Sequence, residues 1–292
     1  MIHGSLVAIV TPFKNGKIDE DALKKLIDFQ IENGTHGVVP CGTTGESPTL
    51  THEEHEYVIE LTVKAVNKRV PVIAGTGSNS TKEAIRLTRF AEEVGVDAAL
   101  LVAPYYNKPT QEGLYLHFKQ IASQVKIPLI LYNIPGRSVV NIQPETVARL
   151  VKDCPNIIGI KEASGSLVQA SKIFSLCGRD FLVLSGEDAL NFPLMCLGAQ
   201  GFITVTANVT PRDVADLYNH YVSGEIDKAR DLHYKLLPLN EALFLETNPI
   251  PVKAALSMMD KIAYEYRYPL CRMSEKYYEE LRGALVGYGL VK

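Results

Sequence analysis

Several features are missing from this chain of 292 residues, and each absence removes a class of protein. There is no basic excess: 30 lysines and arginines stand against 33 aspartates and glutamates, a net charge of −3. The electrostatic footprint of a nucleic-acid binder is therefore not expected. No apolar run approaches the ~20 residues that span a bilayer. Met1-Ile2-His3-Gly4 carries no charged n-region, and the apolar stretch behind it stops at Thr11-Pro12, so no signal peptide is expected. Five cysteines (Cys41, Cys154, Cys177, Cys196 and Cys271) are odd in number, scattered, and form no CxxC pair. They read as reduced thiols, and a cytoplasmic location is the expectation. Cys41 adjoins a glycine-rich loop but has no neighbouring histidine, so packing is its expected role. His52 and His55 form His-Glu-Glu-His, not HExxH, which removes the zinc-protease arrangement.

What is present is a repeating pattern. Hydrophobic residues make up 46% and charged residues 22%, ordinary proportions that allow a substantial core. Short apolar runs recur at Leu6–Val10, Gly37–Pro40, Val72–Gly75, Ala98–Val102, Leu129–Tyr132, Ile157–Lys161, Phe181–Ser185 and Gly201–Val205. Near-continuous runs of this kind suit parallel strands buried on both faces. Asn33-Gly34, Val94-Gly95 and Leu197-Gly198 each stop a helical pattern shortly before a strand. Leu23, Leu26, Ile27 and Ile31 share one helical stripe, and Thr51-His52-Glu53-Glu54 reads as a capping box. Eight strand–helix units predict an α/β fold, a (β/α)8 TIM barrel, with a doubly wound sheet as the alternative on strand count alone. After Thr210-Pro211 only helical stripes follow, among them Val214, Leu217, Tyr218 and Tyr221, then Leu232, Leu236, Leu239 and Leu243. The expected division is a catalytic barrel over 1–224 and a small helical extension over 225–292.

In a barrel the chemistry sits at the carboxyl ends of the strands. Those ends read Thr11, Gly42-Thr43-Thr44-Gly45-Glu46, Thr76-Gly77-Ser78-Asn79, Tyr105-Tyr106-Asn107, Tyr132-Asn133, Lys161-Glu162, Ser185-Gly186-Glu187 and Thr204. No histidine or cysteine cluster appears among them, so no metal site is expected. An iminium formed by a lysine is the remaining electron sink, and Lys161 is the only lysine that directly terminates one of the eight runs. At the end of a buried strand an ammonium is poorly solvated, which favours the neutral, nucleophilic amine. Taken singly, Lys161 also reads as a snorkelling side chain. The Gly42–Glu46 loop lacks the lysine of a P-loop; its amides and hydroxyls suit a small carboxylate, or simply a βα turn. Gly75-Thr76-Gly77-Ser78 carries two glycines of GxGxxG and then a serine, which rejects a dinucleotide site. Tyr132 can set its phenol over the neighbouring strand end, and Arg137, past a Pro-Gly turn, is a candidate carboxylate clamp.

Gly42-Thr43-Thr44-Gly45-Glu46, Tyr105-Tyr106-Asn107, Tyr132-Asn133-Ile134-Pro135-Gly136-Arg137 and Gly159-Ile160-Lys161-Glu162 together resemble the pyruvate-dependent class I aldolase and lyase superfamily. Within it they resemble the 4-hydroxy-tetrahydrodipicolinate synthase (dihydrodipicolinate synthase) family of lysine and diaminopimelate biosynthesis. The similarity runs from Gly4 past Asn248-Pro249-Ile250-Pro251-Val252-Lys253. N-acetylneuraminate lyases share the GxTGE and strand-end lysine elements and are the alternative; the arginine after the Tyr-Asn-x-Pro turn favours the synthase. The resemblance implies that Lys161 forms a Schiff base with pyruvate, whose enamine adds to L-aspartate 4-semialdehyde, with no cofactor beyond that covalent imine. It implies a proton relay of Tyr132, Thr43 and Tyr106, with Tyr106 reaching a neighbouring subunit of a homotetramer built as a dimer of dimers. It assigns Thr43 and Thr44 to the pyruvate carboxylate and Arg137 to the semialdehyde carboxylate. It implies that Ile203 turns a backbone carbonyl toward the lysine and pyruvate, and it places Gly186 with the substrate-binding positions. It also implies an L-lysine effector site of His52, His55, Asn79, Glu83 and Tyr105, although Pro48 stands where some sensitive members carry a small residue.

Overall fold

A computed structural model describes residues 2–292. The apolar runs become strands at Gly4–Ala8, Gly37–Val39, Ile73–Gly75, Ala98–Val102, Leu129–Asn133, Ile157–Glu162, Leu182–Ser185 and Gly201–Thr204, with helices between successive members. They form one sheet in which the order runs 37–39, 4–8, 201–204, 182–185, 157–162, 129–133, 98–102, 73–75. Every registered pair in it is parallel. That is the strand succession of a (β/α)8 TIM barrel, as the sequence predicts. Its contacts divide into two compact units, residues 1–71 with 204–292, and residues 72–203.

In the first unit Leu6, Val7 and Ala8 pair with Gly37, Val38 and Val39. The helix Glu20–Glu32 starts at Asp19, whose side chain accepts from Ala22 N, and buries Leu23, Leu26 and Ile27 on the expected stripe. Thr51 and Glu54 complete the capping box that opens the helix His52–Val66. A feature the sequence did not announce is a hairpin of Phe13–Lys14 with Lys17–Ile18. Strands of two residues carry no periodicity to detect. The hairpin is held from outside, because the Glu265 carboxylate accepts from Asn15 N at 2.8 Å and Gly16 N at 2.6 Å. Among the described residues, 211–292 hold only helices: Pro211–Val222, Ile226–Ala242, Ile250–Met258 and Glu275–Tyr288.

In the second unit the strands pack on the surrounding helices and loops. Leu101, Leu131, Ile160 and Val183 share a core with Leu114, Phe118, Ile142 and Val147. Tight strand-end turns depend on glycine: a Cβ on Gly77 would lie 2.2 Å from the backbone nitrogen of Val102. His117, on the helix Gln111–Ala122, is buried, and its Nδ1 lies 2.9 Å from the Thr81 hydroxyl. Burial lowers its ring from the usual 6.5 to about 4. The neutral ring is favoured in the fold, so the stability it confers is complete above pH 6.5 and is lost as pH falls toward 4. The difference between 6.5 and about 4 corresponds to about 3 kcal/mol. Thermal unfolding across that range should show this loss, and His117→Gln should flatten it; an unchanged slope in the variant would contradict the assignment.

Candidate active site

Tyr132 and Lys161 are register partners on adjacent strands, and so are Asn133 and Glu162 one residue on. Alternation along a strand sends the first pair to one face and the second to the other. Lys161 Nζ lies 4.1 Å from the centroid of the Tyr132 ring, within cation–π range. Both side chains are nearly sealed, with 7% of Lys161 and 5% of Tyr132 exposed. The lysine stem occupies space that a side chain at Gly186 would fill. A Cβ there would meet Lys161 Cε at 2.8 Å and Ala163 Cβ at 2.7 Å. Beside it, the Glu187 carboxyl is pushed up by burial and by the charge of Asp188, against the pull of Lys161. Glu187 thus feels the charge of the amine, a proximity that no sequence pattern suggests.

Other expected residues of this unit take different positions. Ile203 is buried in the strand Gly201–Thr204. Arg137 lies on the four-residue helix Pro135–Ser138, exposed at the surface. Tyr106 adopts a left-handed backbone with φ 71° and is 90% exposed. Asn79, Glu83 and Tyr105 do come together. Asn79 Nδ2 donates to the Tyr105 carbonyl at 3.1 Å, and the Ser78 hydroxyl donates to Glu83. Burial, and then the Glu83 charge, push the Tyr105 phenol up.

In the other unit Thr43 and Thr44 ride on the turn that follows Gly37–Val39. Cys41 and Glu46 at its two ends both have left-handed backbones, at φ 53° and 55°. The turn is closed by Gly45 N and Ser47 N donating to the Gly42 carbonyl, and by Glu46 N donating to that of Thr43. Asn248 Nδ2 donates to the Thr44 hydroxyl at 3.0 Å, and the Thr11 hydroxyl donates to the Gly45 carbonyl at 2.7 Å. Glu46 forms an ion pair with Lys253, in which neither side chain is exposed, and accepts from Arg267 N at 3.2 Å. Lys253 Nζ also donates to the Thr11 carbonyl at 3.1 Å. Burial lowers the Lys253 ammonium, opposed by the attraction of Glu46. His52 and His55 open the helix His52–Val66, with His55 buried. Burial pushes the Cys41 thiol up, which suits packing and not nucleophilic attack.

A (β/α)8 barrel with a sealed lysine at the carboxyl end of its sixth strand has the architecture of an aldolase-type lyase. The chain belongs to the dihydrodipicolinate synthetase family, whose model matches residues 1–286. It is 62% identical over 292 residues to the 4-hydroxy-tetrahydrodipicolinate synthase of Thermodesulfovibrio yellowstonii, covering 100% of both chains. It is similar to the crystal structure of the chloride-inhibited dihydrodipicolinate synthase of Acinetobacter baumannii complexed with pyruvate. There the TM-score is 0.97, with 48% identity and 100% of both chains covered. It is also similar to a crystal structure from Cyanidioschyzon merolae with lysine bound, at TM-score 0.96 and 39% identity over 99% of both chains.

Sequence reading missed the partnership of Glu46 with Lys253, since 207 positions separate them. The only signal was that each closes a motif, Gly42–Glu46 and Asn248–Lys253. Removing one member of a sealed pair strands the other charge, at a cost of about 3 kcal/mol or more. Lys253→Met should therefore lower stability to denaturant by that order, and Glu46→Gln with Lys253→Met should recover part of it. A double variant no more stable than Lys253→Met would contradict the pairing.

Proposed function

We propose that the chain condenses pyruvate with L-aspartate 4-semialdehyde to give 4-hydroxy-tetrahydrodipicolinate, the first committed step of lysine and diaminopimelate biosynthesis. The observation that carries this reading is the sealed Lys161 amine, 4.1 Å from the Tyr132 ring, in a chain matched to the family over nearly its whole length. The pyruvate complex of the Acinetobacter baumannii relative supports the first substrate.

Lys161 Nζ attacks the ketone carbon of pyruvate, and loss of water leaves an iminium. That cation draws electrons from the adjacent methyl group, which releases a proton and becomes the enamine carbon. The enamine attacks the aldehyde carbon of the semialdehyde, and a proton completes the new hydroxyl. The semialdehyde's own amine then displaces Lys161 from the former ketone carbon, closing the ring and freeing the lysine. Each transfer needs a hydroxyl to carry the proton, the role assigned to Tyr132, Thr43 and Tyr106. Thr43 and Thr44 hold the pyruvate carboxylate, Arg137 holds that of the semialdehyde, and the Ile203 carbonyl and Gly186 complete the substrate contacts. No cofactor beyond the lysine imine enters this scheme.

The Tyr106 ring, 90% exposed on the single chain, supports a role in a neighbouring subunit of a homotetramer. Residues 1–224 form the catalytic barrel in this reading, with 225–292 as its helical extension. The lysine-bound relative and the Asn79–Tyr105 contact support an L-lysine effector site that adds Glu83, His52 and His55. Among the described residues no helix is long and apolar enough to cross a membrane, and a cytoplasmic location is part of the proposal.

Borohydride added with pyruvate should reduce the imine and increase the mass of a peptide containing Lys161. Lys161→Ala should lose both the adduct and nearly all turnover; an unmodified wild-type peptide would overturn the scheme. Arg137→Ala should raise the KM for the semialdehyde far more than that for pyruvate, by about a hundredfold if a bidentate clamp is lost. Equal damage to both constants would refute its role.

A further inference from the structure

The face of the two central strands opposite Tyr132 and Lys161 holds a carboxylate that the reaction does not use. Glu162 is 2% exposed. Its oxygens accept from Ser164 N at 2.7 Å, Gln169 Nε2 at 3.0 Å and Asn133 Nδ2 at 3.1 Å. These donors are all uncharged. A sealed acidic group bonded only to neutral donors fixes the direction of each amide around it.

The network beyond it runs to the segment that carries Arg137. Asn133 Nδ2 also donates to Asn141 Oδ1 at 2.8 Å, and Asn133 Oδ1 accepts from Ile142 N at 2.9 Å. Asn141 and Gln169 form a reciprocal amide pair: Asn141 Nδ2 donates to Gln169 Oε1 at 2.7 Å, and Gln169 Nε2 donates to Asn141 Oδ1 at 3.0 Å. The excursion 134–142, which contains Arg137, therefore leaves from Asn133 and is fastened back to Asn133 at its far end.

We propose that Glu162 is a positioning residue that, through Asn133, holds the Arg137 segment in place for the aldehyde substrate. The proposal rests on the roles assigned above to Lys161 and Arg137. Its physical content is directional. A carboxylate can only accept, so the NH2 groups of Gln169 and Asn133 must face it. Their carbonyl oxygens must then face outward, one to Asn141 and the other to Ile142 N. One acidic group thus sets the polarity of three amides and of a backbone donor on the far side.

Glu162→Gln is nearly isosteric, yet it sets an NH2 against donors. Turning Gln169 relieves its own clash but points its NH2 at Asn141, and the Asn133 NH2 still faces the new amide. Turning Asn141 as well points its NH2 at Asn133, and turning Asn133 strands Ile142 N–H. With the oxygen of the new amide kept toward Ser164 N, the turned amides pass the mismatch on to the Arg137 segment. Asn133→Asp removes it, because a carboxylate at position 133 accepts from the new amide at position 162 and from Asn141, as well as from Ile142 N.

Steady-state constants for both substrates, together with borohydride trapping of pyruvate, test this in the full-length enzyme. Glu162→Gln should raise the KM for the semialdehyde about tenfold through a displaced clamp, while pyruvate trapping and pyruvate KM stay unchanged. Adding Asn133→Asp should recover most of the loss. Proportional damage to both substrates, or no recovery in the double variant, overturns the proposal. Should Glu162→Gln not fold, Gln169→Ala should shift the semialdehyde KM in the same direction by less, and no shift would overturn it. Failure of wild-type enzyme to trap pyruvate would instead overturn the reading of Lys161, which this comparison keeps separate.

Discussion

The packing of the Lys161 amine against the face of Tyr132 is the contact that the proposed chemistry requires. It exists because Leu129–Asn133 and Ile157–Glu162 are parallel neighbours in a register that sets residue 132 opposite residue 161. A slip of one position by either strand would turn its side chain to the other face and part the amine from the ring. The apolar runs beneath them fix that register by burying both faces of each strand. Gly186 supplies the remaining condition, since any side chain there would collide with the lysine stem. A chain that kept its barrel but lost this glycine would lose the room in which the amine stands.

The two faces of these strands differ. Tyr132 and Lys161 share the face proposed for the chemistry, whereas Asn133 and Glu162, the next residues along, point into a sealed polar network. A comparable division appears in the other unit. Thr43 and Thr44 occupy a turn whose last residue, Glu46, is buried against Lys253. In both places residues proposed to meet substrate stand one to three positions from a buried carboxylate. The two carboxylates are satisfied differently. Glu46 has a cation and gives its turn a strong, undirected anchor, while Glu162 has only amides and imposes an orientation on each of them.

Much of this was legible in the sequence for identifiable reasons. Buried parallel strands read as continuous apolar runs, and all eight appear, shifted by at most two residues at their ends. Thr51 and Glu54 form the capping box their spacing implies, because that motif depends only on local geometry. Lys161 stood out because a charge rarely ends such a run. The remainder was hidden by distance or by brevity. Lys253 reaches Glu46 across 207 positions, and no periodicity joins them. The Phe13–Ile18 hairpin has two-residue strands, and Glu265 holds it from 249 residues away. Asn133, Asn141 and Gln169 are amides on a strand end, a loop and a helix, a composition that resembles any polar surface until the fold seals it.

In the proposed mechanism one amine, seated against one phenol, bonds covalently to a three-carbon oxo acid. A crystal structure of the protein soaked in pyruvate tests it most directly. Continuous electron density is expected from Lys161 Nζ to the former ketone carbon, with the Tyr132 ring still packed beside it. A free Lys161 side chain beside intact, unbonded pyruvate would contradict it.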